Sequence, residues 1–285
     1  MSPVRVVADS GCDLSASLAE RYEIALIPLT IQIGNDSYLQ GQIDAESLWQ
    51  RLPNERATTS GPPLGLFRQA FERLVSAGYE VVCITLTSRH SSTFNTAWAA
   101  AQEFAGRVRV IDSYSLSLGM GLQVLTAAIA AQAGRSVEEV VALVENLRGR
   151  MQIRLVLDTL EYARRGGRLA RLMPVIDRMC RALSIKPIIG MIEGELKLIG
   201  AARSLKGALQ RIESEAANWG AIEQIAVAHT RLPDLVEEVA RRLSENLHVM
   251  QESILIGEAG PAIGVHAGPG ALGVVLVIKS TPTSM

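Results

Sequence analysis

Two patterns of apolar and polar positions alternate through the first half of the chain. Near-continuous apolar runs such as "VRVVA", "IALIPLTIQIG", "YEVVCITL" and "VRVID" predict buried strands. Stretches with apolar residues at helical spacing lie between them. "DLSASLAERY" is expected to open with Asp13 as N-cap, and "DAESLWQRL" with Asp44. In "LGLFRQAFERLVSAG", Phe67, Phe71 and Leu74 share one face and Gly78 ends the helix. "SSTFNTAWAAAQEF" is a further helix, followed after the next strand by two consecutive ones, "LGMGLQVLTAAIAAQAG" and "SVEEVVALVENLRGRM". Alternating strands and helices with such apolar strands predict a parallel sheet covered on both faces.

From about residue 151 the rhythm changes. "IRLVLDTL" reads as a strand, "LEYARRGG" as a short helix with a glycine stop, and "LMPVIDRMCRALS" as another helix. "PIIGMIEGELKLIGAARS" predicts a hairpin turning at Glu193–Gly194. The helix "SLKGALQRIESEAANWG", the strand "QIAVAHT", the helix "LPDLVEEVARRLSENL" and the strands "ESILIGE" and "ALGVVLVI" follow. The expectation is an α/β chain of two domains, residues 1–150 with a small parallel sheet and residues 151–285 with a mixed six-stranded sheet.

Composition narrows the function classes. Apolar residues make up 48% of the 285 positions and aromatics only 4%, so the core must be aliphatic. A formal net charge of −1 gives no general footprint for nucleic acid or an anionic membrane. Three scattered cysteines exclude a disulfide framework and a clustered thiolate metal site. No basic-then-apolar leader precedes "VRVVADS", and no apolar run reaches the ~18 residues of a membrane span. A cytoplasmic protein without integral membrane association is expected.

In an open parallel sheet, ligands bind beyond the carboxyl ends of the strands. Here those ends lead into "ADSG", "TLTSRHSST" and "IDSYSLS", and the loop "TTSGPP" precedes a helix. Thr59, Ser60, Ser91, Ser92, Thr93, Ser113 and Ser115 therefore gather as candidates. Any single one of them reads as an ordinary N-cap; several at one sheet edge, beside helix N-termini, suit an anion such as a carboxylate or phosphate. Neither GxxxxGK[ST] nor a strand-to-helix GxGxxG is present, which argues against a nucleotide. The basic stretch "ARRGGRLAR" sets Arg164, Arg165, Arg168 and Arg171 around a glycine pair. His229 follows a strand and reads as a cap or packing residue. Near the end, glycines and a proline surround His266 in "GVHAGPGALG", which reads as an open loop.

Taken in order, "VVADS", "TTSGPP", "TLTSRHSSTFNTA", "VIDSYSLSLGMG", "LDTLEYARRGGRLAR", "SIKPII" and "GPAIGVHAGPGALG" make the chain resemble the DegV-family fatty-acid-binding proteins over essentially its whole length. The resemblance implies an N-terminal α/β/α domain, a C-terminal mixed-sheet domain, and a long-chain fatty acid between them. It implies a non-catalytic bacterial carrier without a cofactor or metal. Such a carrier presents the acyl carboxylate to a fatty-acid kinase, which makes acyl-phosphate for phospholipid synthesis. By motif, the carboxylate contacts fall on Thr59, Ser91, Ser92 and Thr93, with Arg168 and His266 supporting the polar end; Arg203 falls at the kinase-facing surface.

Some positions depart from the family pattern. Ser92 stands where the usual S-G-T has glycine, Pro63 where T-S-x-P-S ends in serine, and Val265 and Ala267 where threonines are frequent. The head-group network is thus expected to be leaner. The alternative reading is a serine/histidine hydrolase or acyltransferase using Ser91 and His266 on acyl esters, although no GxSxG elbow is present.

Overall fold

β-branched residues crowd the short strands at the start of the chain, and the helices between them carry the apolar faces that cover those strands. The structure, a computed structural model, describes residues 2–180 and 185–280. In chain order the elements begin with β1 (Val4–Asp9), α1 (Ala16–Arg21), β2 (Ala25–Ile27), β3 (Thr30–Ile33), β4 (Asp36–Leu39) and α2 (Ala45–Arg51). They continue with β5 (Ala57–Ser60), α3 (Leu64–Ser76), β6 (Glu80–Thr85), α4 (Thr93–Ala101), β7 (Val108–Asp112), α5 (Ser117–Gln132) and α6 (Val137–Gly149). The later elements are β8 (Met151–Val156), α7 (Glu161–Gly166), α8 (Met173–Cys180), β9 (Lys186–Ile192), β10 (Glu195–Ala202) and α9 (Leu205–Ala216). The last are β11 (Ile222–His229), α10 (Pro233–Leu247), β12 (Leu255–Glu258), α11 (Pro261–Ala267) and β13 (Leu272–Ile278).

The chain divides into two compact units. The first holds residues 2–148 together with Glu193–Glu195 and Ala259–His266; the second holds the other described residues. In the first unit, four parallel strands run in the order β2-β1-β6-β7. Val7, Val81, Cys83 and Val108 pack with Phe67 and Phe71 of α3 and Ala97 and Ala100 of α4. The alternate residues Val6, Ala8, Val82 and Ile84 are buried too, and α5 packs on β1 and β6. Alternation along a strand puts these two sets on opposite faces, so both faces are covered, as the apolar runs predict. The second unit has the expected six strands, in the order β10-β9-β8-β13-β11-β12. β11 and β12 are parallel, while β13 is antiparallel to both β8 and β11. Its hairpin turns where predicted, with Glu193 and Gly194 at φ 51° and 78°.

"IALIPLTIQIG" is two strands, β2 and β3, parted at Pro28–Leu29 because proline cannot donate to a ladder. A three-stranded antiparallel sheet, β4-β3-β5, was not foreseen. It takes in Thr58–Thr59, which the sequence placed in a loop. Ser15, not Asp13, caps α1, its hydroxyl accepting from Leu18 N–H at 3.3 Å. Asp44 caps α2 as expected. His266 lies in a short helix, α11, rather than an open loop: Pro261 suits the first helical position, and Ala262 and Val265 bury its inner face. The end of the helix expected over "LMPVIDRMCRALS", residues 181–184, lies outside the described residues, as does the serine of "SIKPII".

Candidate functional site

The ladder of β3 with β5 sets Thr59 opposite Ile31. Ile31 is fully buried and Thr59 half-buried. Its hydroxyl oxygen lies 2.6 Å from Nε2 of His266. A strand and a short helix from opposite ends of the sequence thus meet through one hydrogen bond, both residues within the first unit.

Two residues after Thr59 the chain passes the start of α4 at Gly61. A methyl group there would lie 2.9 Å from Thr93 Oγ1 and 3.4 Å from both Ser92 Oγ and Thr93 N. Only a residue without a side chain lets the loop run this close. Across that contact Thr93 is fully buried, and its hydroxyl lies 2.7 Å from that of Ser91. Ser91 Oγ also accepts from Thr93 N–H at 3.2 Å. The loop that follows Thr59 thereby passes directly against the start of α4, where Ser91 and Thr93 are paired. Ser92 is exposed and adopts φ −78° and ψ −1° at the N-cap. Right-handed backbone of this kind needs no glycine, so Ser92 stands there without strain.

Other candidates go elsewhere. Ser113 and Ser115 are buried and bond to each other, Ser113 Oγ donating to the Ser115 carbonyl and accepting from its N–H. Their hydroxyls serve the turn into α5. His229 Nδ1 accepts from Leu232 N–H at 3.1 Å, which closes the turn into α10; burial holds its imidazole below the usual histidine range. Arg164 pairs with Asp177 and Arg165 with Glu161, each at 2.5 Å. Arg168 is exposed on the turn after α7, and Arg203 is exposed just before α9; both belong to the second unit.

Sequence reasoning missed one group. Asp9, at the end of β1, is fully buried and accepts from Leu86 N–H at 2.7 Å and Gly11 N–H at 2.9 Å. Asp13 adopts a left-handed φ of 52°. Its carboxylate accepts from Ser117 Oγ at 2.5 Å and from Gly260 N–H at 3.0 Å. Burial raises both carboxyls from an ordinary 3.8 to about 7, with the charge of Asp9 adding to the rise at Asp13. The one signal in the sequence was a second aspartate four residues after the first, and capping accounted for it too readily. Among the described residues no group of histidine, cysteine and carboxylate side chains is gathered to hold a metal, and no helix is long and apolar enough to cross a membrane.

Comparison with known proteins bears on this arrangement. The model of the family described as "Uncharacterised protein, DegV family" matches residues 3–279. The chain belongs to the DegV family. A DegV domain-containing protein of Streptomyces coelicolor is 34% identical over 278 residues, 96% of this chain and 98% of its own length. One from Caldanaerobacter subterraneus is 35% identical over 281 residues, with 96% and 98% covered. Among solved structures, a DegV family protein from Thermus thermophilus, described by its fatty-acid binding, aligns with a TM-score of 0.88 at 29% identity. That match covers 97% of this chain and 100% of the other. A stearic-acid-binding protein from Eubacterium ventriosum aligns with a TM-score of 0.86 at 25% identity, covering 97% and 98%. The small parallel sheet and the six-stranded mixed sheet are the DegV fold.

Proposed function

We propose that this DegV chain is a non-catalytic carrier that binds one long-chain fatty acid by its carboxylate and presents that carboxylate to a fatty-acid kinase. The observations that support the reading are two hydroxyl pairs, Thr59 with His266 and Ser91 with Thr93, and the close pass of Gly61, two residues after Thr59, against Thr93. When Nε2–H donates to Thr59, the threonine's own proton can turn to an incoming anion. When Thr93 O–H donates to Ser91, the serine proton can do the same. A carboxylate leaving water costs several kcal/mol unless donors replace its hydration, and these pairs supply donors that are already oriented. The relatives described as binding fatty acids supply the ligand class.

The acyl tail supplies most of the affinity. At about 0.8 kcal/mol per buried methylene, a dozen contribute roughly 10 kcal/mol before the costs of association. In this reading Ser92 lends its position at the start of α4, Arg168 supports binding of the polar end, and Arg203 meets the kinase. The hydroxyl of Ser91 is engaged by Thr93 and Nε2 of His266 by Thr59. That pairing supports anion donors over a nucleophile with its base.

The test is the mass of the purified protein under native and denaturing conditions, followed by titration with palmitate, stearate and oleate. The expected result is a native mass greater than the denatured one by a single fatty acid. A ligand-free protein that also refuses all three acids would overturn the carrier reading.

A further inference from the structure

The imidazole of His266 is useful only where it lies, and α11 is too short to hold itself there. Its first turn is clasped from several sides within the first unit. Gly260 N–H donates to Asp13, and a methyl on Gly260 would lie 2.5 Å from Gln40 Nε2 and 3.0 Å from Asp13 Oδ1. Gln40 is itself fixed, its Nε2 donating to the Ser10 carbonyl at 3.2 Å. One turn on, Gly264 N–H donates to the Gly260 carbonyl at 2.9 Å, and Gly264 lies so flat on Trp49 that a methyl would meet the ring at 3.1 Å. His266 follows two residues later.

Asp13 is the one acid in this clasp. The sequence reads it as the N-cap of α1; it instead closes the short turn Ser10–Cys12, its N–H donating to the Ser10 carbonyl at 3.3 Å. Its left-handed backbone turns the carboxylate away from α1 toward Ser117 and Gly260. Aspartate is among the few residues that tolerate this conformation. The carboxylate ties the loop after β1 and the start of α5 to the segment that carries His266.

We propose that Asp13 is a positioning residue: through Gly260 it fixes α11 so that His266 meets Thr59. The consequence for fatty-acid affinity rests on the carboxylate-site reading above; the effect on His266 does not. The experiment compares Asp13→Ala, Asp13→Asn and Gly260→Ala with the unaltered protein. It records the imidazole nitrogen resonances of His266, assigned with His266→Gln, in ligand-free protein, and then palmitate dissociation. Asparagine can accept from Gly260 N–H through its oxygen and donate to Ser117 through its amide, so it should preserve the clasp.

The expected result is that Asp13→Ala and Gly260→Ala shift the His266 nitrogens and weaken palmitate binding about tenfold, while Asp13→Asn restores both. Should Asp13→Ala fail to fold, Gly260→Ala decides, because it displaces the segment with Asp13 intact. Unshifted His266 resonances in the folded alanine variants would overturn the proposal. Shifted resonances in a protein that binds no fatty acid would uphold the positioning and overturn only the ligand reading.

Discussion

Thr59 and His266 stand 207 positions apart, yet the hydroxyl oxygen of one lies 2.6 Å from Nε2 of the other. A contact this short orients both groups before any ligand arrives. Thr59→Val keeps the shape of the strand residue and removes the hydroxyl. If that hydroxyl donates to a carboxylate, palmitate affinity should fall by about 1–3 kcal/mol with no change in circular dichroism. His266→Gln should cost less in the Thr59→Val background than alone, because the two act as one unit. Fully additive losses in a titration of the four proteins would mean that the contact does not organise the site.

Gly61 should be as sensitive as the hydroxyls. A methyl there meets Thr93 Oγ1 at 2.9 Å, and Thr93 is buried and tied to Ser91, so one side must move. Gly61→Ala is expected to lower both the melting temperature and palmitate affinity. Gly65, in the first turn of α3, has nothing within 4 Å of such a methyl, and Gly65→Ala should stabilise by about 0.5 kcal/mol and leave binding unchanged. Calorimetry and titration of the two variants check the contrast; equal behaviour would remove the close-approach argument.

Much of this was legible in the sequence, and the failures have physical causes. The parallel strands and the hairpin at Glu193–Gly194 were readable because apolar runs and turn residues coincide with them. Thr59, Ser91, Thr93 and His266 were named from hydroxyls near strand ends and from the family resemblance. The partners of each were not readable: nothing local pairs a threonine in β5 with a histidine in α11. β4 and β5 are short and half-exposed, so their alternation did not stand out. α11 was hidden by the glycines in and around it; the one inside it, Gly264, serves contact with Trp49 rather than a turn. Asp13 looked like a cap because caps are the commonest reason for an aspartate before a helix, and its real partner, Gly260, is 247 positions away.

The two raised carboxyls give stability a pH dependence of definite sign. Asp9 and Asp13 hold their protons up to about pH 7 in the folded protein, whereas the unfolded chain releases them near 4. Between those values the folded state binds more protons, so stability falls as pH rises. Their contribution is fully present below about pH 4 and lost above about pH 7. Urea melts from pH 5 to pH 8 should show a declining midpoint, and Asp13→Asn should flatten part of the decline. A midpoint that rises through this range in the unaltered protein, and no less steeply in the variant, would contradict the burial argument.

Delivery should separate from binding at Arg203. It is exposed, in the second unit, ahead of α9, and interface arginines often act as energetic hot spots. Arg203→Ala should leave palmitate loading intact and reduce acyl-phosphate formation when equally loaded carriers are titrated into fatty-acid kinase and ATP. Equal product at limiting carrier would show that the arginine is only solvated. Loss of the lipid would mean that the arginine serves binding rather than delivery.

The central claim is that the fatty-acid head group is an ionised carboxylate held by the hydroxyls of Thr59 and Ser91. Carbon-13 NMR of palmitate labelled at the carboxyl carbon and loaded onto the protein tests it most directly. The account predicts one sharp carboxyl resonance, unmoved between pH 8 and pH 6 and displaced by both Thr59→Val and Ser91→Ala. A resonance that titrates across that range, or that sits at the same position in all three proteins, would contradict it.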